Sequence, residues 1–341
     1  MIIARAPGKL ILSGEHAVVY GCPALVMAVN QMVTATITTC PEAELHVQAP
    51  TIVGESRQPI AKLRELAAQL DARHAAFMAG NRPIQSILNE SMELVQYAVA
   101  RVLSMFPEAL PAHGLHIELT SDLPVGCGMG SSAALAAAVI AGSAIAWNQP
   151  VSPETVYDWT WATERLQHGR PSGVDPYITV HGGIVQFLSG TAEKVPAPDF
   201  PVHMALTGTP AATTGESVDW VRTHHANNPA LWESFRQVTT DMTHALVTTN
   251  WKIVATHIRA NHRLLCSLGV VPMRVQSFIT DLETAGFSAK VCGAGSSAGD
   301  AAGIVWIIGD GDPTPVIEAH GYAAQRLARA PSGVQVHVDS Q

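Results

Sequence analysis

The stretch Leu123-Pro124-Val125-Gly126-Cys127-Gly128-Met129-Gly130-Ser131-Ser132-Ala133-Ala134 is a glycine-punctuated loop that leads directly into a helix-forming alanine run. Its three glycines allow the backbone to take positive φ angles and to approach a bulky ligand closely. The first turn of the following helix directs unpaired N–H groups and the positive end of its dipole toward the loop. The sequence therefore predicts an anion site here, and phosphate is its natural occupant.

Two hydroxyl groups at the start of this helix strengthen the prediction. Of Ser131 and Ser132, one can cap the helix while the other is free to ligate a phosphate-bound Mg²⁺. The spacing matches neither the Walker A nor the Rossmann pattern, because Gly-Lys-Ser/Thr is missing and Ser131 stands where a third glycine or alanine is required. A merely connecting turn is the alternative, since glycine loops before helices are common.

A second glycine cluster extends from Lys290 to Asp300. Within it, Gly293, Gly295 and Ala298 satisfy the G-x-G-x-x-A pattern, so a nicotinamide- or flavin-binding oxidoreductase is one hypothesis. A Rossmann loop opens a long helix, whereas this one reaches the strand-like run 304–308 within a few positions. The context therefore favours a loop that joins two strands.

Composition limits the class of protein. The 341 residues are 47% hydrophobic and can bury a large core, and this length favours two domains. A net charge of −8 without a Lys/Arg run disfavours nucleic acid and anionic membranes as partners. The longest apolar run, 133–147, is shorter than the roughly 20 residues of a membrane span, so we expect a buried helix. Five cysteines without C-x-x-C spacing indicate reduced thiols and a cytoplasmic protein.

Hydrophobic periodicity and turn residues predict the following organisation. The expected strands cover 2–6 and 10–12, separated by a turn at Pro7-Gly8, then 26–37, 114–119, 202–206, 289–292, 303–309 and 334–338. The expected helices cover 57–79, 84–106, 158–166, 216–266 with internal breaks, and 272–285. Prolines between Glu193 and Pro201 mark a boundary between two domains, residues 1–195 and 196–341.

Signatures spread over nearly the whole chain resemble the GHMP family of small-molecule kinases. Ala6 to Lys9 with Gly14 to Gly21 is similar to the first family motif, Pro124 to Ala134 to the second, ATP-binding motif, and Gly293-Ala294-Gly295 to the third. Glu164 to Gly169 and Pro171 to Asp175 are similar to the segment with a metal-ligating glutamate and the catalytic aspartate, and 261–270 resembles part of the C-terminal domain. The chain departs from the family pattern at two places. Ser296 to Asp300 stand where the third motif usually continues as a run of glycines, and Pro176 follows Asp175 where asparagine is common.

The resemblance implies an α+β fold of two domains. The N-terminal domain would be like ribosomal protein S5 domain 2 and would bind ATP, and the C-terminal domain would be ferredoxin-like. ATP, Mg²⁺ and a small hydroxy acid would meet in the cleft between them, and the oligomeric state is left open, with a homodimer among the alternatives.

The same resemblance assigns roles to individual residues. Asp175 would take the acceptor proton, with Lys9 beside it to keep it ionised and to stabilise developing charge. Ser132 and Glu164 would ligate Mg²⁺. The residues expected to bind ATP are Pro124, Gly126, Gly128, Gly130, Ser131, Ser132 and Ala133, and those expected to face the acceptor are Glu15, His16, Gly293, Ala294 and Gly295.

Two alternatives to this kinase remain. One is another kinase of the same family, including one whose acceptor is already phosphorylated. The other is a non-catalytic ligand sensor with the same fold. Lys9, Glu164 and Asp175 together disfavour the sensor, because a sensor does not need a base, a cation and a metal ligand.

Overall fold

A computed structural model of the chain describes residues 1–50, 54–124, 126–197, 200 and 202–339. Val125 of the glycine loop and Pro198 and Pro201 of the predicted boundary lie outside the described residues. The strands are β1 Ile2–Ser13, β2 Ala24–Cys40, β3 Glu44–Ala49, β4 Gly54–Pro59, β5 Gly114–Ser121, β6 Ile184–Leu188, β7 Thr191–Lys194, β8 Val202–Leu206, β9 Ser288–Cys292, β10 Ile304–Ile308, β11 Ala323–Leu327 and β12 Gln335–Val338. The α-helices are α1 Ile60–Met78, α2 Glu93–Val102, α3 Ser131–Ala146, α4 Pro153–His168, α5 Val174–His181, α6 Thr214–His225, α7 Pro229–Val247, α8 Trp251–Ser267, α9 Met273–Thr284 and α10 Thr314–Ala319.

The larger sheet has eight strands in the order β12-β1-β2-β5-β3-β4, with β6 paired to β2 and β7 to β6. Helix α3 lies across it and is buried along almost its whole length, because its small side chains allow a close approach. A Cβ atom on Gly142 would come within 2.6 Å of Ile37 and 3.0 Å of Ala4. This close packing fixes the position of the α3 N-terminus, and hence of the glycine loop, relative to the first two strands.

The first strand corrects one prediction. Residues 2–13 form a single strand, and the expected turn at Pro7-Gly8 is wrong. The pairing with β2 instead shifts register between Pro7 and Gly8, an irregularity that accommodates a proline without ending the strand. A Cβ on Gly8 would lie 2.4 Å from Leu123 and 3.1 Å from the Met129 carbonyl oxygen. Gly8 is therefore required by the close approach of the glycine loop.

The expected helix over 84–106 is also corrected. The segment has a 3-10 turn at Ile84–Ser86, helix α2, and a second 3-10 turn at Leu103–Met105. The Glu93 carboxylate accepts hydrogen bonds from the backbone N–H groups of Asn89, at 2.6 Å, and Glu90, at 3.4 Å. The helix starts at Glu93 because these bonds stabilise a turn before it.

The smaller sheet has four strands in the order β11-β8-β10-β9, all antiparallel. The strands predicted over 202–206, 289–292 and 303–309 are confirmed as β8, β9 and β10, and the predicted helical region contains α6, α7, α8 and α9. The predicted C-terminal strand is β12, which pairs with β1 in the larger sheet. The division into residues 1–195 and 196–341 stays a prediction. In the described part of the chain, no helix is long and apolar enough to cross a lipid bilayer.

Candidate active site

The glycine loop has the backbone that its sequence predicts. Gly126, Gly128 and Gly130 have φ angles of 73°, 78° and 72°, in the left-handed region that glycine adopts at little cost. Gly130 is the N-cap of α3, and no side chain among the described residues caps this helix end. The expectation that Ser131 or Ser132 caps the helix is therefore wrong, since the loop brings Ser131 into the first turn. The uncapped N–H groups of that turn suit an anion.

Lys9 and Asp175 meet beside this loop. The Lys9 Nζ atom lies 3.3 Å from Asp175 Oδ1, and the lysine side chain is 5% exposed while that of the aspartate is 30% exposed. The backbone N–H of Lys9 donates to the Met129 carbonyl oxygen at 2.9 Å, which ties β1 to the glycine loop. A Cβ on Gly130 would lie 3.0 Å from Lys9 Cγ and 3.6 Å from Asp175 Oδ2. The structure thus brings a cation, a carboxylate and the helix N-terminus together.

Asp175 is held in place by the start of a short helix. It lies in the first turn of α5, whose N-cap is Gly173 with a φ of 88°. A Cβ at Gly173 would come within 2.8 Å of the Tyr157 hydroxyl oxygen on α4. The carboxylate therefore projects from a helix end that packs against α4, the helix that also contains Glu164.

Glu164 is almost completely buried beside Ser132. Its side chain is 1% exposed, and its Oε2 atom lies 3.5 Å from His168 Nε2. Burial raises the pKa of the Glu164 carboxyl, while the charge of His168 and a hydrogen bond with Ser132 oppose the shift. The Oε1 atom is buried and accepts no hydrogen bond from the described residues. A buried carboxylate oxygen without a partner, next to a hydroxyl, is a donor set that fits Mg²⁺.

The protein supplies only part of a metal shell. Among the described residues, no group of three or more His, Cys, Asp or Glu side chains could hold a metal ion. Mg²⁺ in phosphotransferases is commonly held by one or two protein oxygens together with substrate phosphates and water. Ser132 and Glu164 fit that arrangement.

Removing either oxygen is expected to weaken the metal site. Ser132→Ala and Glu164→Gln should each raise the Mg²⁺ concentration that gives half-maximal rate, because each removes an oxygen or a charge from the shell. The measurement is a Mg²⁺ titration of the initial rate at fixed ATP, with Glu154→Gln in the exposed first turn of the same helix as control. An unchanged Mg²⁺ dependence in both variants would show that the metal assignment is wrong.

The second glycine cluster, which contains the third family motif, joins β9 to β10 and faces the glycine loop at the start of α3. The two loops are in contact, since a Cβ on Gly293 would lie at van der Waals distance, 3.9 Å, from Gly128 Cα. A Cβ on Gly295 would lie 2.2 Å from the Val270 carbonyl oxygen, so this position requires glycine. No long helix follows the loop, as a Rossmann site would need, because β10 begins at Ile304. The loop therefore lacks the following helix of a dinucleotide-binding site, and the oxidoreductase hypothesis is not supported.

Ser296 shapes the atypical part of this loop. Its hydroxyl donates to the Ala298 carbonyl oxygen at 2.6 Å and accepts from the backbone N–H of Ala212 at 3.1 Å. Its own backbone N–H donates to the Val270 carbonyl oxygen at 2.8 Å. A serine thus anchors the loop where the family usually continues with glycines.

Glu15 and His16 face this loop from the end of β1. His16 Nε2 lies 3.0 Å from the Ala294 carbonyl oxygen, and burial lowers the pKa of this imidazole to about 4. The ring is therefore neutral near pH 7, and Nε2 donates to the carbonyl. The Glu15 carboxylate forms an ion pair with Lys290. The expected acceptor-site residues Glu15, His16 and Ala294 are thus brought together.

Lys290 is a site residue that the motifs did not assign. It is fully buried in β9, and its ammonium also donates to the Ile11 carbonyl oxygen at 3.2 Å. Beside it, Asn261 donates to the Ser13 hydroxyl at 3.1 Å, and Ser13 shares a hydrogen bond of 2.7 Å with Thr239. One signal could have identified Lys290, namely a charged residue in the middle of an otherwise buried strand.

The chain is similar in sequence and in fold to known proteins. Residues 93–183 match the model of the GHMP kinases N terminal domain. The chain is 27% identical over 304 residues to a mevalonate kinase of Thermococcus sibiricus, and the aligned region covers 86% of each chain. It superposes on the crystal structure of Methanococcus jannaschii mevalonate kinase with a TM-score of 0.78, at 19% identity over 97% of this chain and 98% of that one. A Streptococcus pneumoniae phosphomevalonate kinase in complex with phosphomevalonate and AMPPNP gives a TM-score of 0.73, at 16% identity over 96% and 100%.

The chain has the α+β fold of the GHMP kinases on which it superposes, and its residues 93–183 resemble the N-terminal domain of that family. The relatives and solved structures cited above are kinases that act on small molecules. Proteins named mevalonate kinase are among its relatives over most of its length.

Proposed function

We propose that this protein transfers the γ-phosphoryl group of ATP to the primary (C5) hydroxyl group of mevalonate. The observation that carries the proposal is the 3.3 Å contact between Lys9 Nζ and Asp175 Oδ1 beside Gly130 of the phosphate loop. Phosphoryl transfer needs phosphates held in line, charge neutralised on the transferring group, and a hydroxyl relieved of its proton. The residues around this contact can meet all three needs.

Each group has a separate task in this reaction. The backbone of residues 126–132 cradles the β- and γ-phosphates at the N-terminus of α3. Ser132 and Glu164 would hold Mg²⁺, which when bound would neutralise phosphate charge. Asp175 accepts the proton of the acceptor hydroxyl, and Lys9 stabilises the negative charge that develops on the alkoxide and the phosphoryl group.

The acceptor is assigned from the residues at the end of β1 and from the relatives. Buried Glu15 and buried, neutral His16 face the loop between β9 and β10, where His16 donates to the Ala294 carbonyl oxygen. These groups suit a small ligand that has hydroxyl groups. The relatives similar over 86% of this chain are named mevalonate kinase, which supports mevalonate over other alcohols.

A phosphorylated acceptor is the second candidate, because a phosphomevalonate kinase shares the fold. The charges of the site disfavour it. Two lysines contribute cations among the described site residues, and each contacts a carboxylate, Lys9 with Asp175 and Lys290 with Glu15. A second phosphate dianion would meet these carboxylates without an additional cation to receive it.

The acceptor assignment is tested by kcat/KM values for mevalonate, phosphomevalonate, homoserine and galactose in a coupled ADP-release assay. We expect mevalonate to be the best substrate, because polar groups built for one partner are left unpaired by another. A higher value for phosphomevalonate would leave the fold and phosphate loops in place and make the acceptor assignment wrong. Binding of ATP without turnover of any acceptor would identify a sensor instead.

A further inference from the structure

The ion pair between Glu15 and Lys290 lies in a part of the molecule that excludes water. The Lys290 side chain is 0% exposed and that of Glu15 is 1% exposed. Burying two charges costs several kcal/mol per ion before their attraction is counted, so such a pair is weak evidence of a stabilising role. A functional use of the pair would explain its presence at the acceptor end of the site.

Two buried acceptor atoms beside the pair have no partner among the described residues. They are Glu15 Oε2 and Asn261 Oδ1. Lys290 engages the other Glu15 oxygen, and Asn261 uses its amide N–H to bond Ser13, two residues before Glu15. Buried polar atoms are normally paired, so each points to a donor that comes from a ligand. Both atoms accept hydrogen bonds, which selects a hydroxyl group over a carboxylate or a phosphate.

Glu15 acts separately from the proposed base. Asp175 lies at the start of α5 against Lys9, whereas Glu15 lies beyond the end of β1 against Lys290. The two sites are close, because the Lys290 ammonium that holds Glu15 also donates to the carbonyl oxygen of Ile11, two residues after Lys9 on β1. A ligand with two hydroxyl groups could therefore place one at each carboxylate.

We infer that Glu15 accepts a hydrogen bond from the second, non-reacting hydroxyl group of the acceptor, and that Lys290 is the positioning residue that orients this carboxylate. The inference rests on the proposed function, in which the second hydroxyl is the tertiary one at C3 of mevalonate. It makes the Glu15–Lys290 pair a determinant of specificity for acceptors with two hydroxyls.

The test compares mevalonate with 5-hydroxy-3-methylpentanoate, which lacks the C3 hydroxyl. The wild-type protein should prefer mevalonate by roughly 10- to 100-fold in kcat/KM, the range expected for a hydrogen bond to a charged group. In Glu15→Met/Lys290→Met this preference should fall to within about threefold, with the loss in KM for mevalonate and with KM for ATP unchanged. The double variant removes both buried charges, and such replacements usually preserve the fold.

A single variant and a control separate positioning from a general effect. Folded Lys290→Met retains Glu15 and should also lose most of the preference, since a buried carboxyl without its cation takes up a proton. The control is Arg73→Met/Glu93→Met, which removes another ion pair that is largely shielded from solvent, with a 3.0 Å contact. This variant should keep the wild-type preference. A wild-type preference in the Glu15→Met/Lys290→Met variant would overturn the inference.

The outcomes also distinguish this inference from the proposed function. If the wild-type protein turns over mevalonate and its deoxy analogue equally well, the proposed function stands and the inference is wrong. If the wild-type protein does not turn over mevalonate, both are wrong.

Discussion

Asp175→Asn is expected to lower kcat by about 10²-fold or more while the affinity for ATP stays nearly unchanged. Asparagine has almost the same shape as aspartate and can stay beside Lys9, but it cannot take the proton of the acceptor hydroxyl. The carboxylate acts on the acceptor and does not touch the nucleotide, so the loss should appear in the chemical step. The measurements are kcat from coupled ADP release and the Kd of ATP from calorimetry.

A control for this variant is Asp158→Asn, an exposed aspartate on α4. It makes the same chemical change away from the site and should retain wild-type kcat. Retention of more than about a tenth of wild-type kcat in Asp175→Asn would rule out the proposed base, given the expected size of its contribution.

Lys9→Met is expected to lower kcat by about 10²- to 10³-fold, the loss typical for removing one group that stabilises transition-state charge. The methionine side chain can fill the buried space of the lysine stem, and the partly exposed Asp175 stays accessible to water, so the protein should remain folded. The combined variant Lys9→Met/Asp175→Asn should lose far less than the product of the single losses, because residues that act as a unit are not additive. Multiplicative losses in kcat would show that the two residues act independently.

Much of the fold could be predicted because the decisive signals are local. The strand at 202–206 and the alanine-rich helix after the glycine loop follow from short-range periodicity, and the structure confirms both. The turn at Pro7-Gly8 failed for a tertiary reason. Gly8 looks like a turn residue, but glycine is needed there because Leu123 and Met129 approach closely. Pro7 is accommodated within the strand by a shift in the pairing register with β2.

One part of the candidate site could be predicted from the sequence, and the other part could not. The phosphate loop is one continuous segment, so its glycine spacing alone indicates an anion site. The pairing of Glu15 with Lys290 joins residues separated by 275 positions, and the Asn261–Ser13 bond spans 248. Such contacts exist only once the two sheets are assembled. Sequence motifs can therefore suggest that Glu15 faces the acceptor, whereas its partner and its free oxygen emerge from the packing.

The most direct test of the central claim is the initial rate of ADP release by the wild-type protein with ATP and Mg²⁺, measured with and without mevalonate, beside Asp175→Asn under the same conditions. The proposed site predicts ADP release that depends on mevalonate, matched mole for mole by 5-phosphomevalonate in the wild type and nearly lost in the variant. ADP release that is independent of mevalonate, or that is equal in the two proteins, would contradict it.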